Sequence, residues 1–356
     1  MHSIQPQNID RVVVRTPNWV GDAVMCVPAL RQLKRIFPSA HITLVARPGA
    51  SDIFIDADFA DEVIIYERAG LASVWQQISD WKKRRFDLAI LFQNAFEAAA
   101  ISFLARVPVR VGYDSEHRGF LLTHSIPLPT WKDQRHEVFY YLNIIHELER
   151  AISGTSSPET VEPEFALSVS EDRKLQARKL LREQGLDDTK PLVLLCPGSV
   201  NSRAKRWPAE RFATLADQFS AAATNVALIG SSGETDVSEK VRDLAQAKLL
   251  VLTGQTSVAE ATALISIADV LITNDTGPAH IGPAVGTPTL VIFGPTNPAT
   301  TRPFGPAGVV VREPPDCAPC MLRDCPIDHR CMTAIAPADI FARARKLMRR
   351  GMEVIA

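Results

Sequence analysis

Asn274-Asp275-Thr276-Gly277-Pro278-Ala279-His280 combines residue types that suit a nucleotide site. It follows the apolar run Val270-Leu271-Ile272, an order that predicts a strand, a sharp turn and the start of a helix. A helix start offers unpaired backbone N–H groups and the positive end of the helix dipole, which suit a diphosphate. Asp275 and Thr276 either cap the helix or reach a ribose or phosphate, and Gly277 allows close approach of a ligand. Taken alone, the motif fits a capped helix start equally well.

A second segment, the loop Cys196–Pro208, concentrates positive charge after another apolar run. Arg203, Lys205 and Arg206 lie close together in it, and Ser199 adds a hydroxyl. Such a loop can neutralise a departing diphosphate through charge-assisted hydrogen bonds. The alternative interpretation is a solvated basic loop without a ligand.

A carboxylate marks the third segment, Thr16–Met25, which separates a predicted strand at 11–15 from a predicted helix. Pro17 and Gly21 indicate a tight turn there, and they present Asp22 at the end of the sheet where open α/β folds bind ligands. Asp22 can therefore act as a general base. The simpler interpretation is a favourable charge in the first turn of a helix, worth about a few tenths of a kcal/mol.

Strand and helix patterns alternate in two blocks, which predicts parallel sheets in two doubly wound α/β domains. Residues 153–163, rich in Ser, Thr and Pro, have the composition of a linker. We expect an N-terminal Rossmann-like domain at 1–160, a C-terminal one at 161–336 and a last helical segment at 337–356. The predicted strands lie at 11–15, 41–46, 62–66, 87–92, 109–112, 191–196, 224–230, 249–253, 269–273 and 288–293. The predicted helices lie at 71–84, 95–105, 135–150, 170–184, 208–222, 234–247, 257–267 and 337–350.

The order of these motifs resembles that of the bacterial lipopolysaccharide heptosyltransferases, in the inverting glycosyltransferase family nine. The matching segments are P-N-W-V-G-D at 17–22, K-R-W-P at 205–208, N-D-T-G-P-A-H at 274–280, F-G-P-T-N-P at 293–298 and C-A-P-C-M-L-R-D-C-P-I-D-H-R-C-M at 317–332. The resemblance spans about residues 11 to 350 and implies a GT-B-like fold, with two domains facing a central cleft and the last helix packing back across the domain boundary. Within the family, the tail is most similar to the enzymes that add the second inner-core heptose.

The resemblance also implies a reaction. The donor would be ADP-L-glycero-D-manno-heptose, the acceptor the first heptose of the lipopolysaccharide inner core, and the chemistry an inverting transfer without a metal or other cofactor. Asp22 would be the base and Lys205 would neutralise the diphosphate, while Asn18 and Arg118 would contact the acceptor. The donor would be bound by Ser199, Lys205, Glu234, Asp275, Thr276, Gly277 and His280. Glu234 is explained nearly as well by a helix N-cap, and Arg118 by a salt bridge in a surface loop.

Two other functions remain open at this stage. One is a related transferase with another nucleotide sugar or acceptor, including one like the first heptosyltransferase. The other is a protein that binds a nucleotide sugar without catalysis, which would apply if Asp22 pointed into the core. A dinucleotide oxidoreductase is disfavoured, because no G-x-G-x-x-G follows the first predicted strand.

Four cysteines lie close together near the C-terminus, at Cys317, Cys320, Cys325 and Cys331. A cluster of thiols in an intracellular chain suggests metal or redox chemistry. The compact C-x2-C-x4-C-x5-C spacing departs from the usual zinc knuckle, so we favour a disulfide or reduced thiols over a bound metal. Asp56-Ala57-Asp58 resembles a metal-binding DxD pair, but its apolar surroundings and its N-terminal position favour a turn.

Bulk composition is consistent with an enzyme that works in the cytoplasm. The 356 residues carry a formal net charge of −1, which disfavours a nucleic-acid binder. Residues 1–10 contain no apolar stretch of a secretory signal, and no apolar run approaches the roughly 20 residues that span a bilayer. Two basic groups, at 82–85 and 343–350, are solvated faces or a site of attraction to the anionic lipids of the inner membrane.

Overall fold

The computed structural model describes residues 4–156 and 162–355, with side chains up to Met348 in the last helix. The chain divides into two compact units, residues 1–165 and 166–356. The predicted linker at 153–163 lies partly outside the described residues. The basic residues Arg349 and Arg350 lie beyond the described side chains.

The first unit contains a six-stranded parallel sheet in the order β3-β2-β1-β4-β5-β6. Its strands are β1 (Arg11–Arg15), β2 (His41–Ala46), β3 (Glu62–Ile65), β4 (Leu88–Leu91), β5 (Val109–Tyr113) and β6 (His124–Ile126). Its helices are α1 (Val20–Met25), α2 (Val27–Ile36), α3 (Leu71–Arg84), α4 (Phe96–Leu104) and α5 (Glu137–Ser153). The strands β1, β2 and β4, in the middle of this sheet, are mainly apolar and buried because helices cover both faces of a doubly wound sheet.

The second unit repeats this arrangement, with the strand order β12-β11-β10-β7-β8-β9. Its strands are β7 (Leu192–Cys196), β8 (Asn225–Leu228), β9 (Leu250–Val251), β10 (Val270–Asn274), β11 (Thr289–Ile292) and β12 (Gly308–Val311). Its helices are α6 (Glu171–Glu183), α7 (Ala209–Ala221), α8 (Thr235–Leu244), α9 (Val258–Ser266), α10 (Gly277–Ala284), α11 (Pro298–Thr301), α12 (Arg330–Thr333) and α13 (Pro337–Ile355). Two doubly wound parallel α/β units confirm the predicted fold class.

Several local features differ from the sequence prediction, including the short helices α11 and α12, which were not predicted. The strands β6 and β12 at the sheet edges were not predicted. The helix after β1 is broken at Cys26 into α1 and α2, because Pro28 lies in the first turn of α2 and cannot donate a backbone hydrogen bond. The break makes α1 a short helix whose first turn carries Asp22.

The last helix, α13, contacts α7 and β10 of the second unit. Ile340, Ala344 and Met348 are buried in the same apolar cluster as Phe212 and Ile272. The packing across the domain boundary that was expected of this helix stays a prediction. None of the helices in residues 4–156 and 162–355 is long and apolar enough to cross a membrane.

Candidate active site

Both units place their predicted motifs at the point where the strand order reverses. In the second sheet β7 and β10 are neighbours with parallel register, so the loops after Cys196 and Asn274 leave the same edge side by side. In the first sheet β1 and β4 are neighbours, and the loop after β1 leads to Asp22. Open α/β sheets bind ligands at such switch points, outside the carboxyl ends of the strands.

An ion pair connects the two loops of the second unit. Lys205 Nζ lies 2.8 Å from Asp275 Oδ2 and also donates to the Asp275 backbone oxygen at 3.2 Å. Thr296 Oγ1 donates to the same carboxylate oxygen at 2.7 Å. Asp275 is 3% exposed, whereas the Lys205 side chain is 26% exposed. The ammonium group is therefore anchored on one side by a buried carboxylate and is accessible to solvent on the other.

Asn274, at the end of β10, holds the surrounding loops together. Its amide nitrogen donates to the backbone oxygens of Pro197 (2.8 Å) and Gly198 (3.1 Å), and its Oδ1 accepts from the backbone N–H of Trp207 at 3.0 Å. Asn274 is fully buried, so these bonds form where water does not compete. The sequence motif contains Asn274 but did not predict a role for it, and Thr296 was not predicted as a site residue. Both residues lie in segments that carry the family resemblance.

Glu234 forms a capping box with Ser231. Its Oε2 accepts from both the backbone N–H and the hydroxyl of Ser231 at 2.7 Å. A Cβ atom at Gly198 would lie 2.3 Å from Glu234 Oε1, so only glycine lets this carboxylate lie against the loop after β7. Glu234 thus has the capping role that the sequence allowed, and it adjoins the predicted donor site.

The start of α10 differs from one of the expectations. Thr276 occupies the N-cap position, but its side chain makes no capping hydrogen bond. Asp275 does not cap the helix through its carboxylate either, because that group binds Lys205 and Thr296. Capping by these two side chains was therefore wrong. Gly277 is the first residue of α10, and His280 is 5% exposed within the same helix.

Ser199 is buried, and its backbone oxygen accepts two hydrogen bonds from the Arg206 guanidinium, from Nε at 3.1 Å and from Nη2 at 3.0 Å. Arg206 therefore stabilises the loop, while Lys205 reaches Asp275. The basic loop is an ordered structure built around specific backbone oxygens.

Asp22 lies in the first turn of α1, half-buried, next to the first turn of α5. Burial, reinforced by the charge of Asp22, raises the pKa of Glu137 to about 7. Burial and then Asp22 also raise the pKa values of Cys26 and Tyr141 well above their usual range. Asp22 thus lies close enough to Glu137, Cys26 and Tyr141 to disfavour a negative charge on each of them. Sequence reasoning missed Glu137, because it is 115 positions away from Asp22 in the chain.

Asn18 and Arg118 occupy different environments in the first unit. Asn18 is half-buried and its Oδ1 accepts a long hydrogen bond from Arg15 at 3.4 Å. Arg118 is fully buried and donates to the backbone oxygens of Tyr113 (3.0 Å), Gln93 and Ala95. The alternative of a surface salt bridge is thus wrong for Arg118. It ties the β5–β6 connection to the loop after β4, and contact of either residue with an acceptor stays a prediction.

The cysteines of the C-terminal segment are free thiols, of which Cys317 is exposed, Cys320 and Cys325 are half-buried and Cys331 is buried. Within residues 4–156 and 162–355, no three His, Cys, Asp or Glu side chains are arranged to hold a metal ion. Asp58 of the DxD pair binds Arg31 at 3.1 Å instead.

Comparison with known proteins identifies the family. Residues 72–330 match the family model of glycosyltransferase family 9 (heptosyltransferase). The chain belongs to this family. Lipooligosaccharide heptosyltransferase 2 of Haemophilus influenzae is 27% identical over 85% of the chain and 88% of its own length. Lipopolysaccharide heptosyltransferase 2 of Salmonella typhimurium is 28% identical over the same shares of both proteins.

A solved structure, that of ADP-heptose lipopolysaccharide heptosyltransferase II of Escherichia coli, has the same fold. It is 24% identical and superposes with a TM-score of 0.83 over 96% of this chain and 99% of its own. These findings confirm the predicted family, the GT-B-like fold class and the assignment of the chain as a glycosyltransferase.

Proposed function

We propose that this enzyme transfers L-glycero-D-manno-heptose from its ADP-activated form to the first heptose of the lipopolysaccharide inner core. Support for this donor and acceptor comes from the family membership and from relatives named heptosyltransferase 2. The observation that carries the catalytic role is the Lys205–Asp275 ion pair, located at the switch point of the second sheet.

In this proposal the second unit binds the donor. The diphosphate lies at the start of α10, where Thr276 and Gly277 offer backbone N–H groups to an anion. The ammonium of Lys205 contacts the diphosphate and stabilises the negative charge that grows on it as the anomeric C–O bond breaks. Asp275 holds the ammonium in place before the donor arrives, so little reorganisation is needed during the reaction.

Ser199, Glu234 and His280 complete the proposed donor site. The Glu234 carboxylate lies directly against Gly198, the residue before Ser199. A Cβ atom at Gly198 would be only 2.3 Å from Glu234 Oε1. Glu234 Oε2 is engaged by Ser231, so a ribose hydroxyl would be bound by Oε1. His280 lies one helical turn after Gly277, on the helix that carries the diphosphate.

Asp22 is the proposed base. It removes the proton of the acceptor hydroxyl as the oxygen attacks the anomeric carbon on the face opposite to the departing ADP, which inverts that centre. A base must be ionised to act, and the neighbouring Glu137 has its pKa raised to about 7. Below about pH 7 Glu137 therefore carries its proton and adds no second negative charge beside Asp22.

The decisive experiment measures ADP release with ADP-heptose and three truncated lipid A–core acceptors, which carry no heptose, one heptose or two. Turnover that requires the one-heptose acceptor supports the proposal. Turnover with the heptose-free acceptor would instead support an activity like that of the first heptosyltransferase, and equal turnover with another nucleotide sugar would redefine the donor. A chelator should leave the rate unchanged while circular dichroism shows an intact fold, since the proposed mechanism uses no metal.

We also propose that the enzyme works in the cytoplasm, where it would meet its lipid-linked acceptor at the inner membrane. The exposed Lys82, Lys83 and Arg85 support attraction to anionic lipid, whereas Arg84 is engaged by Glu62 at 2.6 Å. Sedimentation with vesicles tests this. We expect the enzyme to sediment with anionic vesicles and not with neutral ones, and binding to neither would contradict the proposed attraction to lipid.

A further inference from the structure

The cysteine segment, residues 317–331, is attached directly to the turn that carries Lys205. The Ala204 backbone N–H donates to the Arg323 oxygen at 2.9 Å, and the Ala204 oxygen accepts from His329 Nε2 at 2.6 Å. Ser202 Oγ donates to the Arg323 oxygen as well, at 3.2 Å. Both backbone polar groups of the residue before Lys205 are thus bound by the cysteine segment.

The same segment reaches the other partner of Asp275. The Met321 backbone N–H donates to the Pro295 oxygen at 2.9 Å, and the next residue, Thr296, binds the Asp275 carboxylate. Residues on both sides of the Lys205–Asp275 pair are therefore held by one stretch of chain. A change in the path of that stretch is transmitted to both.

All four thiols of the segment line one small cavity, whose wall also contains Ala204, Pro295 and His329. Cys331 is the buried thiol of the four and lies next to Gly294, just before Pro295 and Thr296. Cys317 is exposed and open to attack by reagents in solution, while Cys320 and Cys325 are half-buried beside it. An accessible thiol next to resolving thiols is the arrangement of a redox-sensitive site.

We propose that the cysteine segment is a thiol–disulfide switch that controls nucleoside-diphosphate binding through the Lys205 turn. The Cys317 thiolate attacks a low-molecular-weight disulfide, forms a mixed disulfide and releases one thiol. A second thiol of the cavity then displaces the other half of the reagent and closes an internal disulfide. Two electrons pass from the protein to the reagent, and two protein protons are lost.

Closure of the internal disulfide weakens ADP binding because it requires the two Cβ atoms to lie about 4 Å apart. In the proposed switch, formation of this bond constrains the segment and loosens its hydrogen bonds to Ala204. This inference rests on the proposed function in one respect: ADP is used as the ligand that reports the state of the Lys205 turn.

The test compares the reduced full-length protein with the protein oxidised by glutathione disulfide. Mass spectrometry and thiol titration identify the bond formed, calorimetry gives the ADP dissociation constant, and amide exchange follows the Ala204 N–H. We expect loss of two thiols, faster exchange at Ala204 and about tenfold weaker ADP binding, as for loss of one charge-assisted contact. A thiol reductant should restore all three.

Two variants serve as controls. Cys317→Ser should bind ADP normally and resist oxidation, because the exposed thiol that starts the exchange is gone. Cys26→Ala, in the first unit, should respond like the wild type, since burial raises the pKa of that thiol and keeps it unreactive.

The proposal is overturned if no internal disulfide forms. It is also overturned if the disulfide changes neither the amide exchange rate of Ala204 nor the ADP dissociation constant, or if Cys317→Ser treated with the oxidant loses ADP affinity as the wild type does. If the reduced protein did not bind ADP at all, the proposed function would fail. The cysteine segment could still be tested in that case, because faster amide exchange at Ala204 in the oxidised protein than in the reduced protein would show that the segment controls the Lys205 turn.

Discussion

Lys205 and Asp275 are predicted to depend on each other, and separate replacement of each distinguishes folding from donor binding. Lys205→Ala leaves a carboxylate that is 3% exposed, with Thr296 still donating to it. Removal of one partner from a buried pair costs about 3–5 kcal/mol of unfolding free energy. Because the Lys205 side chain is partly exposed, water can reach the carboxylate, and we expect a loss at or below about 3 kcal/mol. Asp275→Asn, which frees a cation that can turn to solvent, should cost about 1–2 kcal/mol.

The loss of ADP affinity should also be larger for Lys205→Ala than for Asp275→Asn, because in the proposed mechanism only Lys205 contacts the diphosphate. Loss of a charge-assisted contact to the diphosphate costs about 1.5–3 kcal/mol, so Lys205→Ala should raise the ADP dissociation constant about 10- to 150-fold. Asp275→Asn keeps the ammonium but no longer orders it. Ordering a side chain on binding costs about 0.5–1.5 kcal/mol, which predicts a loss of about two- to tenfold.

The double variant decides between the two roles of Lys205. If the ammonium contacts the diphosphate, Lys205→Ala weakens ADP binding even when Asp275 is already Asn. Calorimetry with ADP, and with AMP as the ligand that lacks the second phosphate, measures this, and the loss should be smaller for AMP. Lys240→Ala removes an exposed cation of α8 that pairs with Glu210, and it is the matched control. A double variant that binds ADP as tightly as Asp275→Asn alone would refute the reasoning.

Three further predictions concern neighbouring groups. Asp22→Asn should lower turnover about 10²–10⁴-fold with ADP affinity unchanged, because only proton removal is lost; more than about a tenth of wild-type turnover would exclude Asp22 as the base. Glu137 holds its proton up to about pH 7 when folded and releases it near 4.5 when unfolded, so stability should fall as pH rises between these values. Glu137→Gln should flatten that fall in melting temperatures measured from pH 4 to 8, and an unchanged slope would contradict it. Gly198→Ala would place Cβ against Glu234 Oε1 and should cost about 1–3 kcal/mol of stability with weaker ADP binding. Gly233→Ala, whose Cβ would meet no atom closer than 4.0 Å, should cost less and is the control.

Much of the fold was predictable because strand and helix periods are local signals. The strand β1 and the helix α3 begin and end at the predicted residues. β6 and β12 were missed because each is a short edge strand whose partners alone define it. The break at Cys26 was missed because the apolar spacing continues through Pro28, which ends one helix and starts the next.

The charge pairing of the site was less predictable. Lys205 and Asp275 could both be named from their motifs, but their contact depends on the adjacency of β7 and β10, whose last residues are 78 positions apart. The sequence therefore suggested a capping role for Asp275 that the structure does not have. For Arg118 the sequence suggested contact with the acceptor or a surface salt bridge, since nothing local indicates that the backbone oxygens of Gln93 and Ala95 accept hydrogen bonds from it.

The Lys205–Asp275 pair gives a physical reason why the proposed donor site would bind a diphosphate without becoming a strongly positive surface. Lys205 is compensated by Asp275 in the folded protein, and Arg206 is committed to the Ser199 oxygen. A donor that arrives at the start of α10 would meet backbone N–H groups and one oriented ammonium, whose position is already fixed by two loops. These N–H groups and the ammonium are in place before the anomeric C–O bond breaks. They can therefore stabilise the additional negative charge that develops on the departing diphosphate without reorganising. It also makes the Lys205 turn sensitive to whatever holds Ala204, which is why the cysteine segment can affect donor binding without touching the donor.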